Sequence, residues 1–397
     1  LMNRHLHQRN YKFRLYPSVQ QEQQLAETLD GCRWVYNYFL DSGFTGESEY
    51  DMNYALTELK EQTPFLRNYH SKMLQMVAKK IATANKALKA LRKNGHKVGR
   101  LKYLQSDEYN SFTYNQSGFD ITADNQLWLS KIGKLRIKLH RKVQNIKQVT
   151  VKREGKRRWY AVICCELTEP IFKFVDTSKS IGIDVGITKF VHDSDNHEVE
   201  NPLFLKKMLK PLGRASRQLS RRQKGSANYQ KAKTRLQVLH ERIRNQRMDF
   251  LHKQSSSYSA RYDLIFLEKL RVLNMTKNHR LARAILDSGW STFSSMLKYK
   301  AKQIVEVYSP NASVDCSHCG HKVQKSLAVR IHRCDKCFLV LDRDHNAALN
   351  ILQRGLNSFL LELKHLPMER REVTPVEFER SKKQESIVVE AHDFSRG

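Results

Sequence analysis

Apolar positions along the chain change their period several times, and each change predicts a different element. Tyr11, Phe13 and Leu15 alternate with Lys12 and Arg14, as a strand with one buried face requires. Pro17 and Ser18, with Gln21 three residues on, stop that strand and cap a helix expected to run to about Leu40. From Ser71 onward Val77, Ile81, Ala84, Leu88 and Leu91 recur at three- and four-residue spacing with lysines on the other faces, which predicts an amphipathic helix in a basic helical lobe. Those lysines suit either a nucleic-acid face or an ordinary solvated surface. Between about Ser111 and Thr168 short alternating segments return: Leu135, Ile137, Leu139, then Val149, Val151, Trp159, Ala161 and Ile163, with Gly155 in a turn. They predict a small barrel or sheet. Because one strand precedes the helical lobe and several follow it, the lobe is expected as an insertion into one barrel-like domain.

Residues 169–180 read as a linker, after which Ile181 to Phe190 forms an apolar strand. A second apolar strand ends at Glu268, a helix should run through Leu281 to Gln303 with Trp290, Phe293 and Leu297 on one face, and Ile304 to Tyr308 supplies a further strand. A final helix opens near Asp342. Between 201 and 260 stand 15 Lys or Arg and only 2 acidic residues, in sequence that favours helix, so a helical pair with a dense positive face is expected there. The tail after about Leu361 holds 8 acidic and 7 basic residues in 37 with little periodicity, which predicts partial disorder.

Length changes this picture little: 397 residues suffice for two or three domains. Charge changes it more. The 70 Lys plus Arg against 40 Asp plus Glu leave a formal +30, an excess that a polyanion would neutralise, and nucleic acid is the leading partner. No run approaches 18 apolar residues and the N-terminus lacks a secretory pattern, so a soluble, cytoplasmic protein without membrane contact is expected.

Four of the seven cysteines form two pairs, Cys316-Ser-His-Cys319 and Cys334-Asp-Lys-Cys337, separated by 14 residues. In a long chain without secretory signals this spacing indicates a tetrahedral Zn²⁺ site rather than disulfides, and a closed four-thiolate site is structural. Gly320 suits the tight turn after the first pair. His318 and His332 lie near but exceed the four ligands. Cys32, Cys164 and Cys165 sit among apolar residues and read as small buried side chains. Asp184 interrupts an apolar strand, where burial disfavours a carboxylate without a compensating partner. Glu268 ends another such strand, and Asp342 and Asp344 open the last helix. Three carboxylates on separate elements are what two Mg²⁺ ions about 4 Å apart need for phosphodiester cleavage. Each also has a plainer reading, and Asp344 is preferred as the third ligand, with Asp342 as the helix cap or a supporting partner.

With these residues in place the chain resembles the TnpB family, the OrfB-type proteins of insertion sequences, related to type V CRISPR effectors. The resemblance rests on Phe13-Arg-Leu-Tyr-Pro17, Arg33-Trp-Val-Tyr-Asn37, Gly182-Ile-Asp184-Val-Gly186, Arg247-Met-Asp-Phe-Leu-His252, Leu267-Glu268, Gly289-Trp290, the paired cysteines and Asp342-Arg-Asp-His-Asn-Ala-Ala348. Val98-Gly-Arg-Leu-Lys-Tyr103 departs from the Gly-Phe-Pro-Arg-Phe-like stretch often found in relatives. The resemblance implies an α/β plus β-barrel protein: a wedge-like barrel (1–17 and 108–175) with an inserted helical recognition lobe (18–107), then an RNase H-like, RuvC-type nuclease domain (176–311 and 341–360) interrupted by a zinc ribbon (312–340). It implies RNA-guided endonuclease activity on double-stranded target DNA, with a guide RNA from the transposon end as partner. The family's acidic triad falls on Asp184, Glu268 and Asp344. Strand transfer by a transposase and guided binding by a nuclease-dead repressor are the alternatives. The resemblance leaves open whether the protein works as a monomer or a homodimer.

Overall fold

The computed structural model describes residues 8–44, 48–106, 108–155, 158–166, 175–326 and 329–364. The chain divides into two compact units near residue 171. Residues 169–174, half of the expected linker, and the part of the expected tail beyond 364 lie outside the described residues.

In the first unit β1 (Gln8–Tyr16) leads into α1 (Val19–Asp41), α2 (Glu49–Gln62) and α3 (Ser71–Lys93). Strands β2 (Ser111–Asn115), β3 (Phe119–Ile121), β4 (Gln126–Leu129), β5 (Gly133–Lys138), β6 (Ile146–Glu154) and β7 (Arg158–Glu166) follow. Ser18 caps α1 as expected: its Oγ accepts from the Gln21 N–H, and the Gln21 side chain accepts from the Ser18 N–H. The seven strands form one sheet in the order β2-β6-β7-β1-β5-β4-β3. Its edge strands β2 and β3 are consecutive in sequence, with only Gln116–Gly118 between them. Four residue steps reach at most about 14 Å, whereas six strand spacings in a flat sheet would part the edges by about 29 Å. The sheet is therefore strongly rolled. Among the described residues β2 and β3 do not pair, so where a wedge-like barrel is expected the strands form one rolled sheet and no closed barrel. The helices between β1 and β2 share a continuous core with the sheet: Leu25, Leu29, Met73 and Leu74 belong to one buried cluster with Phe13, Val151 and Trp159. On α3 the predicted apolar stripe is buried only through Val77 and Ile81, and Leu91 is exposed.

The second unit begins with β8 (Ser180–Val185), β9 (Lys189–Asp193) and β10 (Glu198–Glu200), then the long hairpin of α4 (Phe204–Ser220) and α5 (Ala227–Arg261). β11 (Leu264–Glu268), α6 (Val272–Met275), α7 (His279–Ser288), α8 (Trp290–Lys300) and β12 (Gln303–Val307) come next. The short hairpin of β13 (Ile331–Arg333) and β14 (Val340–Asp342) then delivers α9 (Arg343–Lys364). The sheet order is β10-β9-β8-β11-β12. β8, β11 and β12 are parallel, and β9 runs against both neighbours. Ile181, Ile183, Ile265 and Leu267 face Leu251, Tyr258, Ile285 and Phe293 on one side, and Leu264 and Phe266 face Ala347 and Ile351 of α9 on the other.

Two expectations need correction here. The single strand predicted from Ile181 to Phe190 is a tight hairpin, closed where the Gly186 N–H donates to the Phe190 carbonyl, so Asp184 sits near a strand end and not in its middle. The helix predicted from Leu281 to Gln303 is broken at Gly289, whose φ of +72° is left-handed and ends α7.

Candidate active site and metal centre

Parallel pairing of β8 with β11 sets Phe266 beside Gly182 and Leu267 beside Ile183. One more step in this register brings Glu268 beside Asp184, on the face that α9 covers. α9 approaches closely because Gly182 has no side chain. A Cβ there would run into the Ala348 carbonyl oxygen and lie 2.7 Å from the Leu352 nitrogen, both α9 backbone. The first turn of α9 consequently presents Asp344 to the same edge of the sheet. Burial, and then the charges of Asp344 and Glu268, push the Asp184 carboxyl well above its usual range, with His192 and Arg343 opposing. Burial also raises Glu268 against the pull of Arg354. The three predicted carboxylates are thus one electrostatic cluster.

Asp342 differs from them. Its Oδ1 accepts the backbone N–H of Asp344 at 2.7 Å and of His345 at 3.2 Å, which makes it the cap of α9. Burial would raise its pKa, but the neighbouring His192 ring and those two backbone N–H groups hold it at about 2. Among the described residues only the four cysteines bring three or more ligand atoms within 4.8 Å of one another. The three carboxylates are thus more widely spread than the four thiolates. Mutual repulsion in a partly buried cluster is the condition that bound cations relieve, so the donor set fits Mg²⁺.

Several residues of this site escape a reading of the sequence. Arg330, just ahead of β13, reaches Asp344 Oδ2 at 3.3 Å and Thr188 Oγ1 at 3.0 Å while staying half exposed. His192 faces Asp184 directly across the β8–β9 pair. Desolvation depresses His192, but Asp342, Asn196 and Glu198 outweigh it and raise its pKa. Periodicity carries no sign of these contacts. Only the β8–β9 hairpin and the position of the cysteine loop create them.

The cysteines form two matching turns. Gly320 N–H donates to the Cys316 carbonyl and Phe338 N–H to the Cys334 carbonyl, and both Gly320 and Phe338 have positive φ. Sγ atoms of Cys316 and Cys337 lie 3.6 Å apart, those of Cys319 and Cys334 3.5 Å. Four Zn–S bonds of about 2.3 Å need sulfurs about 3.8 Å apart, so the set fits zinc. Backbone N–H groups of Cys337 and Lys336 outweigh burial and draw the Cys334 thiol down to about 7. His318 is exposed, and His332 is buried with Nδ1 2.6 Å from Lys325 Nζ. Asn346 of α9 accepts the Ser317 N–H, while Asn346 and Asn350 both donate to the carbonyls of Ala312 and Asp315, fastening the cysteine loop to the helix that bears Asp344. Cys32, Cys164 and Cys165 are free and buried, and burial pushes the Cys32 thiol up to about 12.

A carboxylate cluster at the C-terminal ends of two parallel strands, tied to an embedded four-cysteine set that could hold a metal, defines the structural class. A family described as a probable transposase, of the OrfB type, matches residues 162–279. A Cas12f1-like TNB domain matches 290–351, and a helix-turn-helix domain matches 2–42, where the described residues form one strand and one helix. A Streptomyces pristinaespiralis protein named as a candidate RNA-guided DNA endonuclease is 35% identical over 371 residues, covering 88% of this chain and 89% of that one. InsQ of Escherichia coli K12, named likewise, is 31% identical over 378 residues, covering 87% and 92%. The solved Cas12f1–sgRNA–target DNA complex contains a chain 14% identical with a TM-score of 0.49, covering 87% of this chain and 99% of that one. The chain belongs to the TnpB family, the OrfB-type proteins of insertion sequences.

Proposed function

We propose that this protein is an RNA-guided endonuclease that cuts double-stranded DNA by metal-dependent phosphodiester hydrolysis at Asp184, Glu268 and Asp344. The observation that carries the chemistry is the convergence of these carboxylates, with burial and mutual repulsion raising Asp184. Guide dependence rests on family membership, since two relatives 35% and 31% identical carry that name. The sheet order, with only the second of its five strands reversed, fits an RNase H-like domain of the RuvC type. Bound at the three carboxylates, Mg²⁺ would supply an activated water and stabilise the leaving oxygen. Arg330, anchored on Asp344 and Thr188 but half exposed, would meet a phosphate oxygen of the strand being cut. Cys316, Cys319, Cys334 and Cys337 would hold zinc in a structural role, and the net charge of +30 would be neutralised by guide and target backbones.

The test is to express the protein with its native gene neighbourhood, sequence the RNA that copurifies, and offer a DNA duplex matching its variable end. Mg²⁺-dependent cutting of that duplex, lost in Asp184→Ala while RNA and DNA binding persist, is the expected result. Heterogeneous nucleic acid with no defined RNA, or cutting by Asp184→Ala at the wild-type rate, would sink the reading. Joined rather than hydrolysed ends would identify strand transfer, the activity that the transposase description of the family names.

A further inference from the structure

His192 is only 2% exposed, yet a buried imidazole is a poor filler of apolar space unless its nitrogens are used. Asn196 Oδ1 lies 3.1 Å from Nε2. The other nitrogen, Nδ1, is 3.4 Å from Asp342 Oδ1 and 3.7 Å from Glu198 Oε1, with no well-aligned hydrogen bond to either. Asp342 Oδ1 is the same oxygen that caps α9 through the Asp344 and His345 N–H groups. The His192 ring also lies parallel to that of His345, at 2° with centroids 5.4 Å apart, and His345 directly follows Asp344. A further tie runs from His345 Nε2 to the Ser194 carbonyl at 3.4 Å, and Ser194 is hydrogen-bonded in both directions to Gly182 of β8. His192 and Ser194 therefore both tie the strand pair carrying Asp184 to the helix turn carrying Asp344, beside the bridge that Arg330 makes from Thr188 to Asp344.

We propose that His192 is a positioning residue: through Asp342 and His345 it keys the N-terminus of α9, and with it Asp344, to the strand pair that bears Asp184. Of its two contacts, the polar one to Asp342 sets the orientation of the helix turn, and the ring stack fills the space behind it. This rests on the assignment of the three carboxylates as the metal-binding set. Residues that hold ligating side chains in place typically influence metal affinity or activity by 10–100-fold without touching the ion.

The experiment uses full-length, zinc-loaded protein and reads Mn²⁺ binding by the paramagnetic resonance of the free ion, beside the thermal midpoint and DNA cutting. Asp184→Ala assigns the Mn²⁺ signal to the carboxylates. His192→Phe keeps the flat ring but removes both nitrogens. We expect Mn²⁺ to bind at least tenfold more weakly with a midpoint close to wild type, whereas His192→Asn, which retains a nitrogen near the Nδ1 position, stays within about threefold of wild type. A purely structural role would lower the midpoint without separating the two variants in metal affinity. If His192→Phe does not fold, His345→Leu removes the stacking partner instead, and a severalfold loss of Mn²⁺ affinity is expected. Wild-type Mn²⁺ affinity in whichever of these two variants folds, no recovery in His192→Asn, or an Mn²⁺ signal unchanged by Asp184→Ala overturns the proposal. Should the metal affinities separate as expected while wild-type protein cuts no guided target, the positioning role stands and the guided-endonuclease reading falls.

Discussion

Burial and the neighbouring charges of Asp344 and Glu268 raise Asp184, while Asp342, two residues from Asp344, is held at about 2. The two carboxyls consequently answer pH with opposite sign. A group raised in the folded state contributes stability that is full below its unfolded pKa and is lost as pH climbs through the folded value. A depressed group contributes above the unfolded pKa, and that contribution fades as pH falls from about 4 toward 2. Magnesium-free protein, prepared by dialysis without chelator, should therefore become more stable at neutral pH in Asp184→Asn. Each ~1 kcal/mol relieved appears as about 2–4 °C in the thermal midpoint. The gain should shrink as pH falls and vanish below about pH 4, where the folded and unfolded chains both carry the protonated carboxyl. The same variant should lose cutting and any stabilisation by Mg²⁺. A midpoint unchanged at neutral pH would show that Asp184 is not under strain. This residue was legible from its neighbours, because a carboxylate among Ile181, Ile183 and Val185 demands a reason. Arg330 was not, since its meeting with Asp344 depends on where the β13–β14 hairpin lands.

At the scale of elements, the site depends on how closely α9 lies on β8. The Cβ of Gly182→Ala would press on backbone atoms of α9, which cannot rotate away as a side-chain tip can. Overpacking of this kind costs about 1–3 kcal/mol. A helix displaced by about 1 Å would carry Asp344 off its productive position, at a cost of about a hundredfold in rate. Gly213→Ala, in α4 with nothing within 4 Å of the new methyl, is the control, and should be neutral or gain up to about 1 kcal/mol in thermal unfolding. The cysteine loop reaches the same helix through Asn346 and Asn350. Cys316→Ser should release zinc by elemental analysis, lower the midpoint, and speed amide exchange both in 309–317 and in the first turns of α9. Faster exchange confined to the cysteine loop would show that the two asparagines do not couple it to Asp344. Spacing alone disclosed the cysteine pairs, and a continuous apolar run ending in a carboxylate disclosed β11. The β8–β9 turn and the break at Gly289 escaped because the apolar positions resume on both sides of each, while a close backbone contact at Gly186 and a left-handed φ at Gly289 decide the chain's course.

For the whole molecule the governing quantity is the charge of +30, which composition alone discloses but does not locate. Much of it is concentrated in the α4–α5 hairpin, where Arg217, Arg221 and Arg235 are exposed. No helix of the described residues is long and apolar enough to cross a membrane. A polyanion that meets this surface releases condensed counterions. The logarithm of the binding constant should then fall linearly with the logarithm of salt concentration, with a slope of about −0.9 per phosphate neutralised on duplex DNA. Six to ten such contacts would lower affinity by about 10³–10⁵ between 50 and 200 mM salt. Arg217→Gln, Arg221→Gln and Arg235→Gln combined should therefore weaken binding to any duplex sequence about equally and flatten the slope by up to about 2.7, the effect of three lost phosphate contacts. Filter binding across a salt series measures both quantities. A slope that stays at its wild-type value would mean that the α4–α5 hairpin does not face the nucleic acid, and that the backbone is gripped by basic residues elsewhere in the chain. A loss confined to one DNA sequence would assign these arginines to base edges rather than phosphates.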